Sequence, residues 1–273
     1  MPELPEVETI RRSLLPRVLG RRVERVEARA VRLREGIRPS DWRAMAGCAV
    51  EAIERRGKYL IFLCGARAEV FHLGMSGRLT VAPPTLSRPS HTHLVQHLSD
   101  GFELRFTDPR RFGAALAMPA ARLGGHAALR GLGPDAWTGA FEASLRGRAR
   151  GSRVPIRNLL LDQSVLAGLG NIYANEALAR AGIRPERAAS AVPRGRLALL
   201  EATIRQVLDD ALRAGGTTLD DEGFEDAAGA RGYFAVELLV YGRQGQPCRS
   251  CGAAVRKVVL ANRSAFFCPR CQR

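Results

Sequence analysis

Leu4, Val7, Ile10, Leu14 and Leu15 recur at helical spacing, and Pro16 with Gly20 marks where that helix is expected to end. The chain therefore enters a core almost at its first residue. A strand-rich region follows, with strands predicted at Tyr59 to Cys64, Glu69 to Leu73 and Leu79 to Ala82, separated by Gly and Pro clusters. His93 to Leu98 and Phe102 to Thr107 read as a hairpin. Asp100-Gly101 is a favoured tight turn between them, and Phe102, Leu104 and Phe106 alternate inward. The first 118 residues thus read as a helix leading into a β-sandwich or barrel.

After about Met118 the strand signals stop, and Ala, Gly and Arg dominate through Arg153, so residues 119–152 are expected to be a connection. Helices then take over. Ile156 to Val165 and Ile172 to Ala181 are predicted first, followed by a long helix whose Leu197, Leu200, Ile204, Val207, Leu208 and Ala211 form one apolar stripe. Gly215 to Gly232 is Gly-rich, acidic and without period, which suggests a functional loop. The tail from Leu238 is a separate unit. The expected class is α+β with several domains: residues 1–118, a helical region at 153–232 and a small C-terminal module at 238–273.

Length and composition agree. The chain has 273 residues, 46% of them hydrophobic, enough for more than one core. Lys and Arg total 42 against 27 Asp and Glu, a formal charge of +15. A merely soluble surface needs a net charge of only ~2–8 in a small domain, so the excess points to a polyanion such as nucleic acid. No apolar run approaches a membrane helix, and no secretory signal opens the chain, so no membrane partner is expected and a cytoplasmic location is. Only Lys58 and Lys257 among the 42 basic residues are lysines, which hints that those positions need an amine or a compact charge.

The cysteines are more specific. Cys48 and Cys64 stand alone in apolar surroundings and read as buried small residues. Cys248-x2-Cys251 and Cys268-x2-Cys271, with sixteen residues between the inner pair, have the two-knuckle spacing of a tetrahedral zinc site. Four thiolates leave no open position, so the metal is expected to be structural. Val255 to Leu260 and Phe266-Phe267 read as a β-hairpin between the knuckles, with Arg263 near its tip. Upstream, Ala167-Gly-Leu-Gly-Asn171 joins two helices. Glycines allow close backbone approach there, and free amides with Asn171 as a cap could hold a phosphate, although a plain helical hairpin is the commoner meaning.

Motifs along the whole chain strengthen the nucleic-acid reading. Met1-Pro-Glu-Leu-Pro-Glu-Val-Glu-Thr9, Arg56-Gly-Lys-Tyr-Leu60, His72-Leu-Gly-Met-Ser-Gly77, Asp108-Pro-Arg-Arg-Phe-Gly113, Gly168-Leu-Gly-Asn-Ile-Tyr-Ala-Asn-Glu176, Gly215-Gly-Thr-Thr218, Val240-Tyr-Gly-Arg243 and the cysteine tail occur in that order. Together they resemble the bacterial formamidopyrimidine-DNA glycosylases. The resemblance implies a β-sandwich lobe, a helix-two-turns-helix lobe with a lesion-capping loop, and a zinc finger with four cysteine ligands, with DNA in the cleft between the lobes. It implies one structural Zn2+ and no catalytic metal or organic cofactor. The implied partner is double-stranded DNA containing oxidised bases or abasic sites, bound by a monomer associated with the nucleoid.

By that resemblance, Met1 is removed and the amine of Pro2 attacks the sugar C1′ as an oxidised purine departs, giving an iminium and then β,δ-elimination. Proline at a free N-terminus suits this chemistry. An α-amino group has a pKa of ~7.7–8.0 against ~10.4 for lysine, so far more of it is free amine at neutral pH. Glu3 takes the acid/base work at the ring oxygen, Lys58 donates a proton in β-elimination, and Arg263 assists δ-elimination and clamps phosphates. Glu6 is left as a helix-dipole residue. A flipped base leaves a gap, which Met75, Arg110 and Phe112 match as the filling triad. His72, His91, Arg153, Asn171, Tyr241 and Lys257 match phosphate contacts. Where many relatives carry lysine this chain has Arg157, again expected at a phosphate. Asp220-Asp221-Glu222 departs from the basic character relatives often show in the capping loop. Two other readings stay open: an endonuclease VIII-like glycosylase for oxidised pyrimidines, and a non-catalytic zinc DNA-binding protein.

Overall fold

A computed structural model of the chain describes residues 2–29, 32–35, 37–217 and 238–273. The protein divides into two compact units, Met1–Arg130 with Ala214–Tyr233, and Gly131–Arg213 with Phe234–Arg273. The 119–152 segment expected as a connection is thus shared between them, with Phe141, Leu145 and Ala149 buried in the second unit. Most of the expected capping loop, including residues 220–222, lies outside the described residues.

The first unit opens with α1 (Leu4–Val18), whose buried Leu4, Val7, Ile10 and Leu14 form the predicted face. The helix runs past Pro16, because the lost amide falls in its last turn and Val18 is fully buried beyond it. A short helix, α2 (Pro39–Arg43), buries Trp42 against Phe71, with the rings 5.6 Å apart. The strands are β1 (Val23–Ala28), β2 (Ala52–Arg56), β3 (Tyr59–Cys64), β4 (Arg67–His72), β5 (Arg78–Ala82), β6 (Thr92–Leu98), β7 (Glu103–Thr107) and β8 (Ala114–Pro119). They make two antiparallel four-stranded sheets, ordered β1-β6-β7-β5 and β2-β3-β4-β8. The core lies between them. Phe71 on β4 meets Phe106 on β7 at 5.8 Å and Phe62 on β3 at 5.3 Å, so aromatic rings bridge the two inner faces as in a sandwich. Phe102, expected to point inward, is 43% exposed. It belongs to the turn, where its amide donates to Asp100 Oδ1 at 3.2 Å, and the inward alternation begins with Leu104.

Among the described residues, the second unit holds four helices longer than a single turn, α3 (Glu142–Ala149), α4 (Ile156–Leu160), α5 (Asn171–Arg180) and α6 (Arg194–Arg213), and the hairpin β9 (Arg256–Leu260) and β10 (Arg263–Phe267). The stripe predicted on α6 is buried as expected. The helix expected to reach Val165 stops at Leu160. Side chains there capture the backbone: Asp162 Oδ1 accepts from the Ser164 amide at 2.9 Å, while Gln163 donates to the carbonyls of Leu161 and Leu169 and accepts from the Gly168 amide. Such local bonds compete with helix continuation, and they turn the chain twice between α4 and α5. Asn171 is the first residue of α5 and Gly170 occupies the cap position, one residue from expectation.

Candidate active site and nucleic-acid interface

The N-terminus expected to react is set by the first turn of α1. Glu3 is the N-cap and closes a capping box with Glu6: the Glu3 carboxylate accepts from the Glu6 amide, and Glu6 Oε2 accepts from the Glu3 amide at 2.7 Å. Pro2 is half-buried immediately before this turn, and Glu3 is only 2% exposed. Glu6 also makes a contact that the sequence did not reveal. Its Oε1 accepts from the Thr217 amide at 2.8 Å, tying the N-terminal turn to the Gly215 to Thr217 segment of the same unit. The helix itself is docked on β2 through Glu8, which is salt-bridged to Arg55 at 3.2 Å, while Arg11 reaches the Ile53 carbonyl at 3.1 Å. Burial pushes the Glu8 carboxyl up, but Arg11, Arg12 and Arg55 outweigh it and hold the group below the usual carboxylate range.

β2 and β3 are joined by Gly57-Lys58, since Arg56 pairs with Tyr59. Gly57 has φ +59°, the conformation a two-residue hairpin turn asks of its first residue. The turn leaves Lys58 only 7% exposed. His72, at the end of β4, pairs with Tyr59 across the sheet and packs its ring 4.8 Å from the tyrosine ring. Burial first, then Arg34 and Lys58, push the His72 imidazole down to about 4, so the ring is neutral at physiological pH. Its Nδ1 accepts from the Gly74 amide at 3.1 Å, which leaves the proton on Nε2 as the donor.

Two loops meet beyond His72. Asp108 is fully buried and holds them together: Oδ1 accepts from Ser76 Oγ at 2.6 Å, and Oδ2 from the Gly113 amide at 2.8 Å. Ser76 Oγ in turn accepts from the Arg110 amide at 3.1 Å. At Gly74, with φ +60°, a Cβ would lie 2.4 Å from the Phe112 carbonyl carbon, so only glycine permits this approach. The result is a pocket of about 580 Å³ lined by Arg34, His72, Met75, Arg110 and Phe112, among others. Phe112 is 51% exposed and carries the Arg110 guanidinium 5.4 Å above its ring. The three residues expected to fill the gap in DNA are therefore gathered at one exposed loop pair. Asp108 and Ser76, which organise them, had no predicted role although both lie inside the quoted motifs. His91 is exposed with φ +65°, and its carbonyl accepts from the Asp108 amide at 3.1 Å.

In the second unit, the four predicted cysteines converge. Their sulfurs all lie within 4.8 Å of one another, with Cys251 and Cys268 3.4 Å apart and Cys248 and Cys271 3.9 Å apart. Zinc bonded to four thiolates at ~2.3 Å requires sulfur separations of about 3.8 Å, so the donor set fits that ion. Bound there, zinc cross-links the two knuckles and supplies no chemistry to a substrate.

Helix α5 is the platform for the rest. Glu176 is fully buried and accepts from three successive amides, Leu239 at 2.7 Å, Val240 at 3.0 Å and Tyr241 at 2.9 Å. Burial raises its carboxyl and the three amides oppose that rise. Tyr241 is held by its amide and by its ring, 5.1 Å from Phe266 in an edge-on contact. On the same helix, immediately before Glu176, Asn175 Oδ1 accepts from the Phe266 amide at 2.7 Å. Asn171 Nδ2 donates to the Ser264 carbonyl at 3.0 Å. Lys257 and Arg263 are exposed on β9 and β10, and Arg153 is exposed before α4. Arg157, expected at a phosphate, is wholly buried and donates to four oxygens of its own unit.

Comparisons with known proteins agree along the whole chain. Family profiles described as the formamidopyrimidine-DNA glycosylase N-terminal domain, the formamidopyrimidine-DNA glycosylase H2TH domain, and the zinc finger found in FPG and IleRS match residues 1–115, 132–222 and 245–273. The formamidopyrimidine-DNA glycosylase of Syntrophotalea carbinolica is 48% identical, with 100% of both chains covered. Among solved structures, a Lactococcus lactis FPG variant in complex with Fapy-dG-containing DNA superposes with a TM-score of 0.91 at 33% identity, covering 100% of each chain. The Lactococcus lactis Fpg complex with abasic-site DNA gives 0.90 at 33% identity over 99% of each chain. The chain belongs to the formamidopyrimidine-DNA glycosylase family.

Proposed function

We propose that this protein excises oxidised purines from duplex DNA and then cleaves the strand at the abasic site, with the amine of Pro2 as nucleophile. The observation that carries the reading is the N-terminal turn, in which Pro2 precedes a buried, capped Glu3 at the end of a helix docked on the Lys58 hairpin. Removal of Met1 exposes the secondary amine. Its lone pair attacks C1′ of the flipped nucleotide, the C1′–N bond of the damaged base breaks, and the base leaves with a proton. Glu3 protonates the ring oxygen as the sugar opens, and the iminium on the proline nitrogen acidifies the C2′ proton. Lys58 serves the proton transfers of the elimination that expels the 3′ phosphate. A second elimination expels the 5′ phosphate with Arg263 assisting.

Residues 1–118 carry this chemistry apart from the part given to Arg263, residues 153–232 dock DNA and cap the lesion, and residues 238–273 form the zinc finger. Neutral His72 offers Nε2–H to a phosphate, and His91, Arg153, Asn171, Tyr241 and Lys257 add further backbone contacts. Met75, Arg110 and Phe112 occupy the gap, with Arg110 reading the orphaned cytosine. The work takes place on the chromosome, in the bacterial cytoplasm. Borohydride trapping on duplexes containing 8-oxoguanine opposite cytosine, run beside an oxidised-thymine duplex, tests the substrate. Faster trapping on the purine duplex is expected, and faster trapping on the pyrimidine duplex overturns the purine preference.

A further inference from the structure

We infer that Arg157 is a positioning residue for Arg263, acting through the backbone of the finger hairpin and not through DNA. The inference rests on the proposed placement of Arg263 at the phosphates beside the lesion. Arg157 sits on α4 with no exposed surface. Its Nη1 donates to the Leu260 carbonyl and to Asn158 Oδ1, both at 3.1 Å. Its Nη2 donates to the Ser264 carbonyl at 3.1 Å and to Asn171 Oδ1 at 2.7 Å. Leu260 and Ser264 bracket the hairpin tip, so one planar guanidinium grips both ends of the three-residue stretch that presents Arg263.

The tip needs such a grip. Leu260 pairs with Arg263, so the turn is Ala261-Asn262, with φ of +45° and +61°. Two left-handed residues are what a two-residue hairpin turn requires. Asparagine tolerates that region, but alanine disfavours it, and no glycine is present to relieve the turn. The shape is therefore imposed from the ends. Asn171, oriented by Arg157, donates its own amide to the Ser264 carbonyl at 3.0 Å, and Asn175 holds the Phe266 amide at 2.7 Å. Arg263 is exposed next to this anchored backbone. Burial first, and then the nearby Arg263 charge, lower the Arg157 guanidinium from its ordinary value.

Arginine suits the post. Four acceptors lie within reach of two terminal nitrogens in one plane, whereas lysine offers three donors from a single point. An Arg157→Lys chain can satisfy part of the set and should act as a partial rescue.

The test is a double-mutant cycle on binding to a duplex that carries a tetrahydrofuran abasic analogue, which the protein cannot cleave, measured across salt concentrations. Arg263→Ala should weaken binding and lower the salt slope by about 0.9, the value of one phosphate contact. Arg157→Met should weaken binding about tenfold in the wild-type background and less than about twofold on Arg263→Ala, with no further change in slope. Arg157→Lys should fall between wild type and Arg157→Met, with zinc content unchanged in every variant. Equal losses in both backgrounds, or a further slope decrease of about 0.9 on Arg263→Ala, make Arg157 a phosphate contact and overturn the inference. Loss of zinc from both Arg157 variants also overturns it, by making the residue a folding element of the finger. The glycosylase reading fails separately, if wild-type protein leaves an 8-oxoguanine duplex intact.

Discussion

The N-terminal turn and the finger tip hold their key groups in opposite ways. Pro2 and Glu3 are fixed by the turn that contains them: Glu3 and Glu6 satisfy each other three residues apart, with one added tie to Thr217. The Arg263 tip is fixed by residues about a hundred positions away in sequence, with Arg157 at Leu260 and Ser264, and Asn175 at Phe266. A local capping box forms as soon as the helix forms. A long-range clamp exists only when the whole second unit is folded. The proposed nucleophile is thus built to be robust, while the arginine proposed to face the phosphates depends on tertiary structure.

That contrast can be broken most forcefully at the metal. Cys268→Ser, or chelation, removes a centre that contributes roughly 10–16 kcal/mol to the folding of zinc-finger peptides. The expected outcome is loss of strand cleavage and of the finger hairpin, with the sandwich still cooperatively folded by calorimetry. Collapse of the sandwich as well would refute the independence of the first unit.

A milder disruption of the same unit is Glu176→Ala. Three amides lose a buried carboxylate acceptor, and bonds to charged groups contribute about 1.5–3 kcal/mol each without adding fully. A destabilisation of about 3 kcal/mol in the second unit is expected, read by chemical denaturation, with weaker DNA binding and little change in the melting of the first unit.

Long-range polar pairs also occur in the first unit, away from its site, and Glu69 gives a pH test. It is completely buried on β4 and accepts from Gln96 Nε2 of β6 at 2.7 Å, and burial raises its carboxyl to about 8 from the ordinary 4.5. Between those values the folded state keeps a proton that the unfolded state has released. This contribution is therefore full below about pH 4.5, falls as pH rises, and is gone above about pH 8, at about 1.4 kcal/mol per pH unit. Glu69→Gln should flatten that decline in a series of melting curves. An unchanged slope would show that Glu69 is not the group responsible.

The smallest effect is expected at the loop pair. Asp108→Asn keeps one acceptor and loses the other, so either the Ser76 hydroxyl or the Gly113 amide is left without its bond. A cost of about 1 kcal/mol is expected. Because Arg110 and Phe112 lie on the loosened loop, discrimination for cytosine opposite the lesion should drop, measured as kcat/KM ratios across the four opposing bases.

What the sequence made legible follows the same local rule. The α1 face, the paired cysteines and the apolar stripe of α6 are short-range patterns, and each appears where its spacing placed it. The Asp108 hub was hidden because its partners, Ser76 and Gly113, come from two loops that no periodicity joins. The end of α4 at Leu160 was missed because Asp162 and Gln163 take over backbone groups that an apolar pattern cannot report. Arg157 is the sharpest case. Its basic side chain beside a glycine hairpin reads as a phosphate contact until its burial and its four acceptors are known.

The central claim, that the Pro2 amine forms the covalent intermediate, is tested most directly by locating the borohydride-trapped adduct. Protein with Met1 removed is trapped on an 8-oxoguanine duplex, digested, and the DNA-bearing peptide sequenced by mass spectrometry. The adduct is expected on the nitrogen of Pro2, with protein retaining Met1 still binding DNA and giving no adduct. An adduct on Lys58 or any other residue, or equal trapping by protein that retains Met1, would contradict the account.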